Sequence, residues 1–328
     1  MGSNNSFSLL IPFSLLLLLI LDSAPLTASR SCSGECGGIE IPYPFGVGEG
    51  CYLEKAYEIT CGNTSISGKV VPVLSILGKD VVNISLPRSI RIKNPITSRG
   101  CSSDGEDDFE SLLNLTGTPF YVGSSNSMVA SGCNNTALLT NVEPTVGGCK
   151  SSCGLTYHTP TKHFIATAAC NEDYGYEYDA YCSERSSTLY EKSCSSGVGC
   201  CEISMPDLGH QIVGVRIDNT TTTGGCKVAF LTDEAYSLSN GSDPHRFHAE
   251  GYSTVKLTWF IDTANHSFVD SLGCYGMKEY MRLRASSSYE SIYEKNCACD
   301  YYDNSSTYSC TCTQGYRGNP YVPGGCKG

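Results

Sequence analysis

Tryptophan and charged residues are scarce in this sequence of 328 residues, which has one Trp and only 17% Asp, Glu, Lys and Arg. A long amphipathic helical pattern is missing, and after the first 21 residues no apolar run reaches the 18 residues of a membrane-spanning helix. Gly, Ser, Thr and Asn are abundant instead. This composition predicts a mainly β, loop-rich fold of small disulfide-rich modules, with several small cores rather than one large core.

Motifs of the common enzyme classes are also missing. The sequence has no Gly-rich phosphate loop, no Gly-x-Ser-x-Gly elbow and no His-Glu-x-x-His zinc motif. A metal site at His245-x2-His248 and a glycosidase pair at Asp107/Asp108 or Glu172/Asp173 are the alternatives. We interpret these residues as polar loop residues, because the spacing fits no familiar zinc site and adjacent carboxylates usually diverge. We therefore expect no catalytic residue, no metal and no cofactor.

The N-terminus predicts entry into the secretory pathway. Leu9 to Leu21 form an apolar stretch, and small residues follow at Thr27, Ala28 and Ser29, which is typical of a signal peptide spanning residues 1–29. The remainder is then expected outside the cell, where disulfides persist.

Cysteine is abundant, with twenty residues that all follow the apolar stretch. The even number fits ten bridges and no free thiol. The expected disulfide cysteines are Cys32, Cys36, Cys51, Cys61, Cys101, Cys133, Cys149, Cys153, Cys170, Cys182, Cys194, Cys200, Cys201, Cys226, Cys274, Cys297, Cys299, Cys310, Cys312 and Cys326.

Two features of the cysteine pattern predict connections. Residues 32–274 hold fifteen cysteines and residues 297–326 hold five, so complete pairing requires at least one bridge between these segments. We expect Cys274 to pair with Cys297 or Cys299. Cys200 and Cys201 are expected to have separate partners, because a bond between neighbours strains the intervening peptide. A redox-active vicinal pair is the alternative.

Eight Asn-X-Ser/Thr triplets support an extracellular location. A glycosylated Asn must face solvent, so each triplet is also a prediction of surface exposure. The acceptors are Asn63, Asn83, Asn114, Asn134, Asn219, Asn240, Asn265 and Asn304.

Strand-like segments recur along the chain, rich in β-branched and apolar residues. In the segment 30–101 they lie at Lys69–Leu77, Val81–Leu86 and Ser89–Lys93. In the segment 102–276 they lie at Ile212–Ile217, Lys227–Leu231 and Val255–Ile261. Met277–Tyr293 is compatible with a helix or a linker, and we assign 277–296 as a linker before a last segment, 297–328.

Charge is unevenly distributed. The net charge of −11 argues against a nucleic-acid partner. Residues 32–100, however, carry seven bases and six acids, and four of these bases lie in an acid-free stretch: Arg88, Arg91, Lys93 and Arg99. Because Arg91 and Lys93 alternate with isoleucines, they should share the outward face of a strand. Such a face suits a polyanion, since Arg binds carboxylates with two parallel hydrogen bonds, and a merely solvated strand face is the alternative.

Motifs along the chain together resemble the extracellular region of plant wall-associated receptor kinases. The resemblance to the family's galacturonan-binding module rests on Cys32-x3-Cys36-Gly37, Ile41-Pro42-Tyr43-Pro44-Phe45-Gly46, Gly50-Cys51 and Cys61-Gly62. The resemblance to the family's middle module rests on Gly197-x-Gly199-Cys200-Cys201-x3-Met205-Pro206, Cys226-x3-Phe230-Leu231 and Leu257-x-Trp259. The resemblance to the family's truncated EGF-like repeat rests on Tyr308-x-Cys310-x-Cys312-x2-Gly315-Tyr316-x-Gly318-Asn319-Pro320-Tyr321 and Gly325-Cys326.

The resemblance implies three modules: a galacturonan-binding-like module (30–101), a middle module (102–276) and a partial EGF-like module (297–328). It implies that the chain binds pectin, chiefly de-esterified galacturonan, in the cell wall. The basic residues above are then the candidate contacts, and Tyr43, Tyr52 and Tyr57 are candidates for stacking on sugar rings. Local core packing is the alternative for Tyr43 and for its neighbour Phe45.

The family's kinase motifs, a Gly-rich loop, His-Arg-Asp and Asp-Phe-Gly, do not occur in this sequence. We therefore expect a polypeptide without catalytic activity, either a secreted relative or the ectodomain of a receptor, membrane-associated only as a fragment of such a receptor. The second hypothesis for its function is an ectodomain or decoy that binds a protein or peptide.

Overall fold

The computed structural model of the chain describes residues 32–63, 69–102, 110–142, 145–153, 164–167, 194, 198–218, 224–236, 238–263, 266–285, 295–301 and 307–328. Residues Ser33–Gly328 form one compact unit. Several predictions fall outside the described residues: the signal peptide, both carboxylate pairs, Cys170, Cys182, Asn219, Asn265 and Asn304. The side chain of Asn63 is also outside them.

Short strands dominate the described residues between 32 and 101, as their alternating apolar pattern predicts. The strands are β1 (Glu35–Cys36), β2 (Ile39–Glu40), β3 (Gly46–Val47), β4 (Glu58–Asn63), β5 (Val70–Leu74), β6 (Lys79–Ser85), β7 (Ser89–Pro95) and β8 (Thr97–Arg99). A single 3₁₀ turn, Lys55–Tyr57, precedes β4.

The middle of the chain is also built from strands. They are β9 (Glu110–Asn114), β10 (Phe120–Val122), β11 (Ser127–Ser131), β12 (Thr136–Thr140), β13 (Thr145–Lys150), β14 (Phe164–Thr167), β15 (Cys200–Ser204), β16 (Ile212–Ile217) and β17 (Lys227–Thr232).

Short helices appear only in the last third of the described residues. The elements there are α1 (Leu238–Gly241), α2 (Pro244–Glu250), β18 (Tyr252–Trp259), β19 (Ile261–Asp262), α3 (His266–Ser271), β20 (Tyr275–Gly276), α4 (Met277–Ala285), β21 (Cys297–Tyr301), β22 (Thr307–Cys312), β23 (Arg317–Gly318) and β24 (Cys326–Lys327). Helix α2 begins after Asp243, whose carboxylate caps the amide of Arg246, and ends at Gly251 in the left-handed conformation.

The mainly β prediction is confirmed, and each strand-like segment of the sequence corresponds to a strand: β5, β6, β7, β16, β17 and β18. Met277–Tyr293, which the sequence left open, begins with helix α4. Tyr280 of this helix is buried and stacks on Tyr275 at 6.3 Å between ring centroids. No helix among the described residues is long and apolar enough to cross a membrane.

A seven-stranded sheet joins segments that are far apart in the sequence, in the order β10-β18-β7-β6-β5-β4-β3. Strands β7 and β18 pair antiparallel through seven residue pairs, from Ser89 opposite Thr258 to Pro95 opposite Tyr252. Since β7 belongs to the segment 30–101 and β18 to 102–276, these two segments share one sheet. Further sheets have the orders β15-β11-β17-β8, β14-β13-β12-β16-β9 and β19-β22-β21-β20.

One apolar cluster runs through all three segments, from Cys36 to Tyr321. At its centre Trp259 is fully buried, with ring centroids 5.3 Å from Phe45 and 5.0 Å from Tyr321. The expectation of several small cores is therefore wrong, because strand pairing brings the apolar faces of distant segments together. Two smaller clusters flank the main one.

All eighteen described cysteines are disulfide-bonded, including Cys32 and Cys51. The other described bridges are Cys36–Cys61, Cys101–Cys226, Cys133–Cys153, Cys149–Cys201, Cys194–Cys200, Cys274–Cys297, Cys299–Cys310 and Cys312–Cys326. The separate partners of Cys200 and Cys201 and the bridge from Cys274 to Cys297 are both confirmed. The latter joins the last segment to the rest of the chain.

Candidate functional site: a cationic sheet face

Three cations lie on the outward side of strands β7 and β18, and we call Arg91, Lys93 and Lys256 the cationic sheet face. Arg91 and Lys256 are directly opposite each other in the antiparallel register. The residues that alternate with them on the inward side, Ile92 and Val255 among them, are fully buried. Burial of this inward side therefore fixes the direction in which the three cations point.

Arg91 is held by a buried carboxylate. Its Nε lies 2.5 Å from Asp233 Oδ2, and the side chain of Asp233 is only 5% exposed. The other oxygen of Asp233 accepts a hydrogen bond of 2.9 Å from Thr254 Oγ1. Among the described residues, nothing accepts a hydrogen bond from the two Nη atoms of Arg91. The guanidinium is thus oriented by one nitrogen and has two donors left for a ligand.

Lys93 has two partners on the same surface. Its Nζ lies 3.3 Å from Asp80 Oδ2 and 4.2 Å from the ring centroid of Tyr252. Both ends of the ion pair are about one third exposed, so the pair contributes little to stability and can be exchanged for another carboxylate. Tyr252 is itself 46% exposed and adds a flat apolar surface beside the cation.

Sequence reasoning missed Lys256. Its Nζ has no ion-pair partner among the described residues, and its backbone is fixed by Asn126, whose side chain bonds both its amide and its carbonyl. The alternation of β18 was visible in the sequence, but its pairing with β7 was not, since more than 150 residues separate the two strands.

Two of the expected basic contacts lie away from this face. The Arg88 guanidinium lies 6.0 Å from the Phe260 ring centroid and reaches Ser309 Oγ at 3.5 Å. Arg99 belongs to a different sheet, where β8 places it opposite Lys227. The structure therefore divides the basic stretch Arg88–Arg99 instead of gathering it into one patch.

Arg99 contributes to a second group of cations. Lys227 is 4% exposed, and burial, followed by the positive charges of Arg99 and Lys150, lowers the pKa of its ammonium group. The repulsion from Arg99 and Lys150 thus adds to burial in disfavouring the charged form of Lys227.

Tyr57 cannot be a stacking residue, which corrects the prediction. Its side chain is fully buried, and its hydroxyl donates to the carbonyl of Phe260 at 2.6 Å and accepts from the amide of Asp262 at 3.0 Å. Burial raises the pKa of its phenol above the ordinary value. Its charged neighbours Lys55 and Glu58 made it indistinguishable in sequence from an exposed tyrosine.

Tyr43 and Tyr52 are partly exposed, but neither lies on the cationic sheet face. The ring of Tyr43 contacts Phe268 at 6.1 Å between centroids, and burial, with a smaller effect of the Glu54 charge, raises its pKa. The ring of Tyr52 lies below Lys55 Nζ at 5.9 Å, near β3 and β4 at the far end of the sheet. Phe45 is buried in the core, which is the alternative that the sequence left open.

The His245-x2-His248 segment lies on helix α2. His245 is exposed, whereas the ring nitrogens of His248 lie 3.0 Å from Ser98 Oγ and 3.1 Å from Ser102 Oγ. No group of three His, Cys, Asp or Glu side chains within the described ranges could hold a metal ion. His248 therefore has a hydrogen-bonding role between α2 and the end of β8.

Two family models match this chain. Residues 32–94 match the model described as wall-associated receptor kinase galacturonan-binding, and residues 191–268 match the model described as wall-associated kinase. The first match contains Arg91 and Lys93 of β7 and the second contains β18, so the cationic sheet face is formed jointly by the two matched regions.

Similar curated proteins are wall-associated receptor kinase-like proteins of Arabidopsis thaliana. The chain is 51% identical to wall-associated receptor kinase-like 10 over 340 residues, which cover 100% of this chain and 42% of that protein. It is 42% identical to wall-associated receptor kinase-like 17, over 99% of this chain and 42% of that protein. The chain thus spans about two fifths of the length of these relatives. No solved structure matches it.

Proposed function

We propose, for a chain that carries the extracellular modules of the wall-associated receptor kinase family, that its function is to bind de-esterified galacturonan at the cell wall. The proposed site is the cationic sheet face. The observation that carries this proposal is the direct opposition of Arg91 and Lys256 on paired strands, with donors on both residues that no described protein group uses.

The chemistry of the face suits a polymer with a carboxylate on every sugar. Arg91 presents two nitrogens for a planar carboxylate. Lys256 is a point charge opposite it on β18, and Lys93 is a second point charge two residues further along β7. Directly opposite residues on antiparallel strands have Cβ atoms about 5 Å apart. One polyuronate chain laid across the strands would therefore meet several cations at once, and the individually weak contacts would reinforce one another.

Nearby acids limit the affinity of each contact. Asp80 and Asp233 already bind Lys93 and Arg91, and the whole chain carries a net charge of −11. Screening beyond about 8–10 Å at physiological salt removes most of the distant repulsion, so the local cations dominate. We therefore expect binding that requires several uronate units and weakens steeply with salt.

The exposed ring of Tyr252 supplies the apolar part of the site. A pyranose ring has an apolar face that can lie against an aromatic ring, and this tyrosine lies beside Lys93 on the same surface. This assignment replaces the stacking role that the sequence gave to Tyr57.

The test is the affinity of the oxidised chain, prepared without N-linked glycans, for polygalacturonate and for fully methyl-esterified pectin. We expect binding to the first only. Lys256→Ala should weaken it about fivefold, the equivalent of about 1 kcal/mol. Since Lys256 has no ion pair with any residue that the structure describes, this substitution leaves no described carboxylate unpaired. Arg91→Gln with Lys93→Gln should weaken binding further.

The matched control is Lys278→Ala with Arg282→Ala, which removes two exposed charges from helix α4, a helix that packs against β20 and β21 of a different sheet. Arg99→Ala should also leave the affinity unchanged. Unaltered binding in both face variants would refute the site. An unmodified chain that ignores polygalacturonate but captures a protein partner would refute the function and favour the second hypothesis.

A further inference from the structure

One glycosylation triplet lies on the proposed binding surface. Asn83-Ile84-Ser85 is in strand β6, and Asn83 is directly opposite Arg91 in the β6–β7 pairing. Ile84, its neighbour in the chain, is buried, whereas Asn83 is exposed on the outward side. Arg91 therefore has Asn83 on one flank and Lys256 on the other.

The side chain of Asn83 is accessible for modification. Its Nδ2 donates a hydrogen bond of 2.9 Å to Ser85 Oγ, within the triplet itself, and bonds no distant residue among those that the structure describes. A sugar attached to Nδ2 would therefore displace no tertiary contact, and it would project from the same side of the sheet as the guanidinium of Arg91.

The other triplets with described side chains lie elsewhere. Asn114 is exposed at the end of β9, opposite Ile212 in a different sheet, and Asn240 is exposed on helix α1. Asn134 lies in the turn before β12 with a positive φ. Within the described part of the chain, Asn83 is thus the acceptor that shares a surface with Arg91, Lys93 and Lys256.

We infer that an N-linked glycan at Asn83 covers the cationic sheet face and blocks polyuronate binding, so that occupancy of this one triplet sets how much of the secreted protein can bind. The inference rests on the proposed function. The block is steric, because a branched glycan is far larger than the side chain it modifies and its attachment point is one strand away from the central arginine.

Glycosylation at Asn83 therefore divides the protein into two populations with the same fold. The unmodified population has an open face with the affinity of the bare site. In the modified population the neutral sugars compete with the polymer for the same surface, while the charges beneath are unchanged.

The experiment uses the full chain secreted from a eukaryotic host, with occupancy of Asn83 measured by mass spectrometry. Ser85→Ala keeps Asn83 but removes the triplet, and Ser85→Thr keeps the triplet. We expect Ser85→Ala to bind polygalacturonate at least about tenfold more tightly than the Asn83-glycosylated chain, and Ser85→Thr to behave like the glycosylated chain. Trimming the glycan to a single sugar should restore part of the affinity.

Two controls separate the possible failures. Asn83→Gln should reproduce Ser85→Ala, and Asn114→Gln, which removes a glycan from another sheet, should change nothing. If the glycosylated chain and Ser85→Ala bind with equal affinity, and Lys256→Ala still weakens the binding of both, the inferred block by the Asn83 glycan is wrong and the proposed function stands. An unoccupied Asn83 in the secreted chain also refutes the inferred block. Absence of binding in every form overturns both.

Discussion

The side-chain amide of Asn319 donates a hydrogen bond of 2.6 Å to the backbone carbonyl of Tyr43, a residue 276 positions earlier in the chain. Its other side-chain atom, Oδ1, accepts from the amide of Tyr321 at 2.9 Å. The ring of Tyr321 in turn contacts Trp259, the centre of the core. Asn319 therefore fastens the last segment of the chain to the Pro-Tyr-Pro turn of the first.

This connection predicts that Asn319→Asp destabilises the protein. The carboxylate keeps an acceptor for the amide of Tyr321 but turns an oxygen towards the carbonyl of Tyr43, which then loses its donor. We expect the free energy of unfolding to fall by about 1–3 kcal/mol in a urea titration of the oxidised protein. Asn83→Asp adds the same charge at an exposed position and should change it by less than about 0.5 kcal/mol. Equal effects of the two substitutions would contradict the role of Asn319.

Gly46 offers a second test of the same region. A Cβ at this position would overlap the backbone carbonyl of Cys51, whereas a Cβ at Gly62 of strand β4 would meet open space. Gly46→Ala should therefore force the backbone apart and lower the free energy of unfolding by about 1–3 kcal/mol. Gly62→Ala should be neutral or slightly stabilising, since it reduces the freedom of the unfolded chain. A Gly46→Ala protein as stable as Gly62→Ala would show that Gly46 and the carbonyl of Cys51 are not in close contact.

The sequence predicted local structure well and long-range pairing poorly. Ile90, Arg91, Ile92 and Lys93 alternate, and this alternation was sufficient to predict both the strand and the side on which each residue lies. Cysteine parity was sufficient to predict that a bridge joins the last segment to the rest of the chain, and Cys274–Cys297 is one of the two pairings that we expected for it. Both inferences depend on neighbours in the chain or on counting, which a single sequence provides.

Pairing between distant strands was the part that a single sequence could not provide. Lys256 joins Arg91 only because β18 lies beside β7, and no local pattern in either strand specifies the other. The same limit explains Tyr57, whose burial depends on Phe120 and Trp259 from other strands. Arg99 was misplaced because the chain crosses to another sheet between Pro95 and Thr97, within two residues of the preceding strand.

The correction of Tyr57 leads to a prediction that separates stability from binding. Tyr57→Phe removes a hydroxyl that bonds both Phe260 and Asp262, and it should lower the free energy of unfolding by about 1–3 kcal/mol without changing the affinity for polygalacturonate. Tyr252→Ala should lower the affinity for polygalacturonate and leave the free energy of unfolding nearly unchanged, because its ring is exposed on the cationic sheet face. Urea unfolding and a binding titration on both variants are the measurements. Loss of affinity in folded Tyr57→Phe would restore it as a binding residue.

His210 predicts how stability depends on pH. The side chain is 9% exposed, its Nε2 has no hydrogen-bond partner among the described residues, and burial lowers its pKa below the ordinary value of 6.5. The neutral imidazole is therefore favoured in the fold. Its contribution to stability is complete above the unfolded pKa and is lost as pH falls through the lowered folded pKa.

The measurement is the difference in unfolding free energy between about pH 7.5 and about pH 5, a window that includes the titration of an ordinary histidine. His210→Gln should make this difference smaller than in the unmodified protein. His245→Gln, at an exposed position on α2, serves as the control for removing one histidine. If His210→Gln leaves this difference in unfolding free energy unchanged, groups other than His210 determine the loss of stability between about pH 7.5 and about pH 5.

The shared sheet predicts that the segment 32–101 does not fold alone. Without β18, β7 loses one of its two partners and becomes an exposed edge paired only with β6, and Phe45 and Tyr57 lose Trp259 from their surroundings. A short domain with a newly exposed edge strand and an opened core has too little buried apolar surface to offset its chain entropy. The bridge Cys36–Cys61 closes only a small loop within the segment and cannot replace those contacts.

We therefore expect a protease to cleave the fragment 32–101, secreted under oxidising conditions, at many sites along its length. We also expect this fragment to show no cooperative thermal transition. The chain 32–328 from the same host should resist the protease and unfold cooperatively. A fragment 32–101 that unfolds cooperatively and binds polygalacturonate like the longer chain would contradict the shared sheet as a requirement, and it would exclude Lys256 from the site. Rescue of the fragment's cooperative transition by a peptide carrying residues 250–262 would instead identify β18 as the missing strand, since that peptide supplies the pairing with β7 and the Trp259 side chain together.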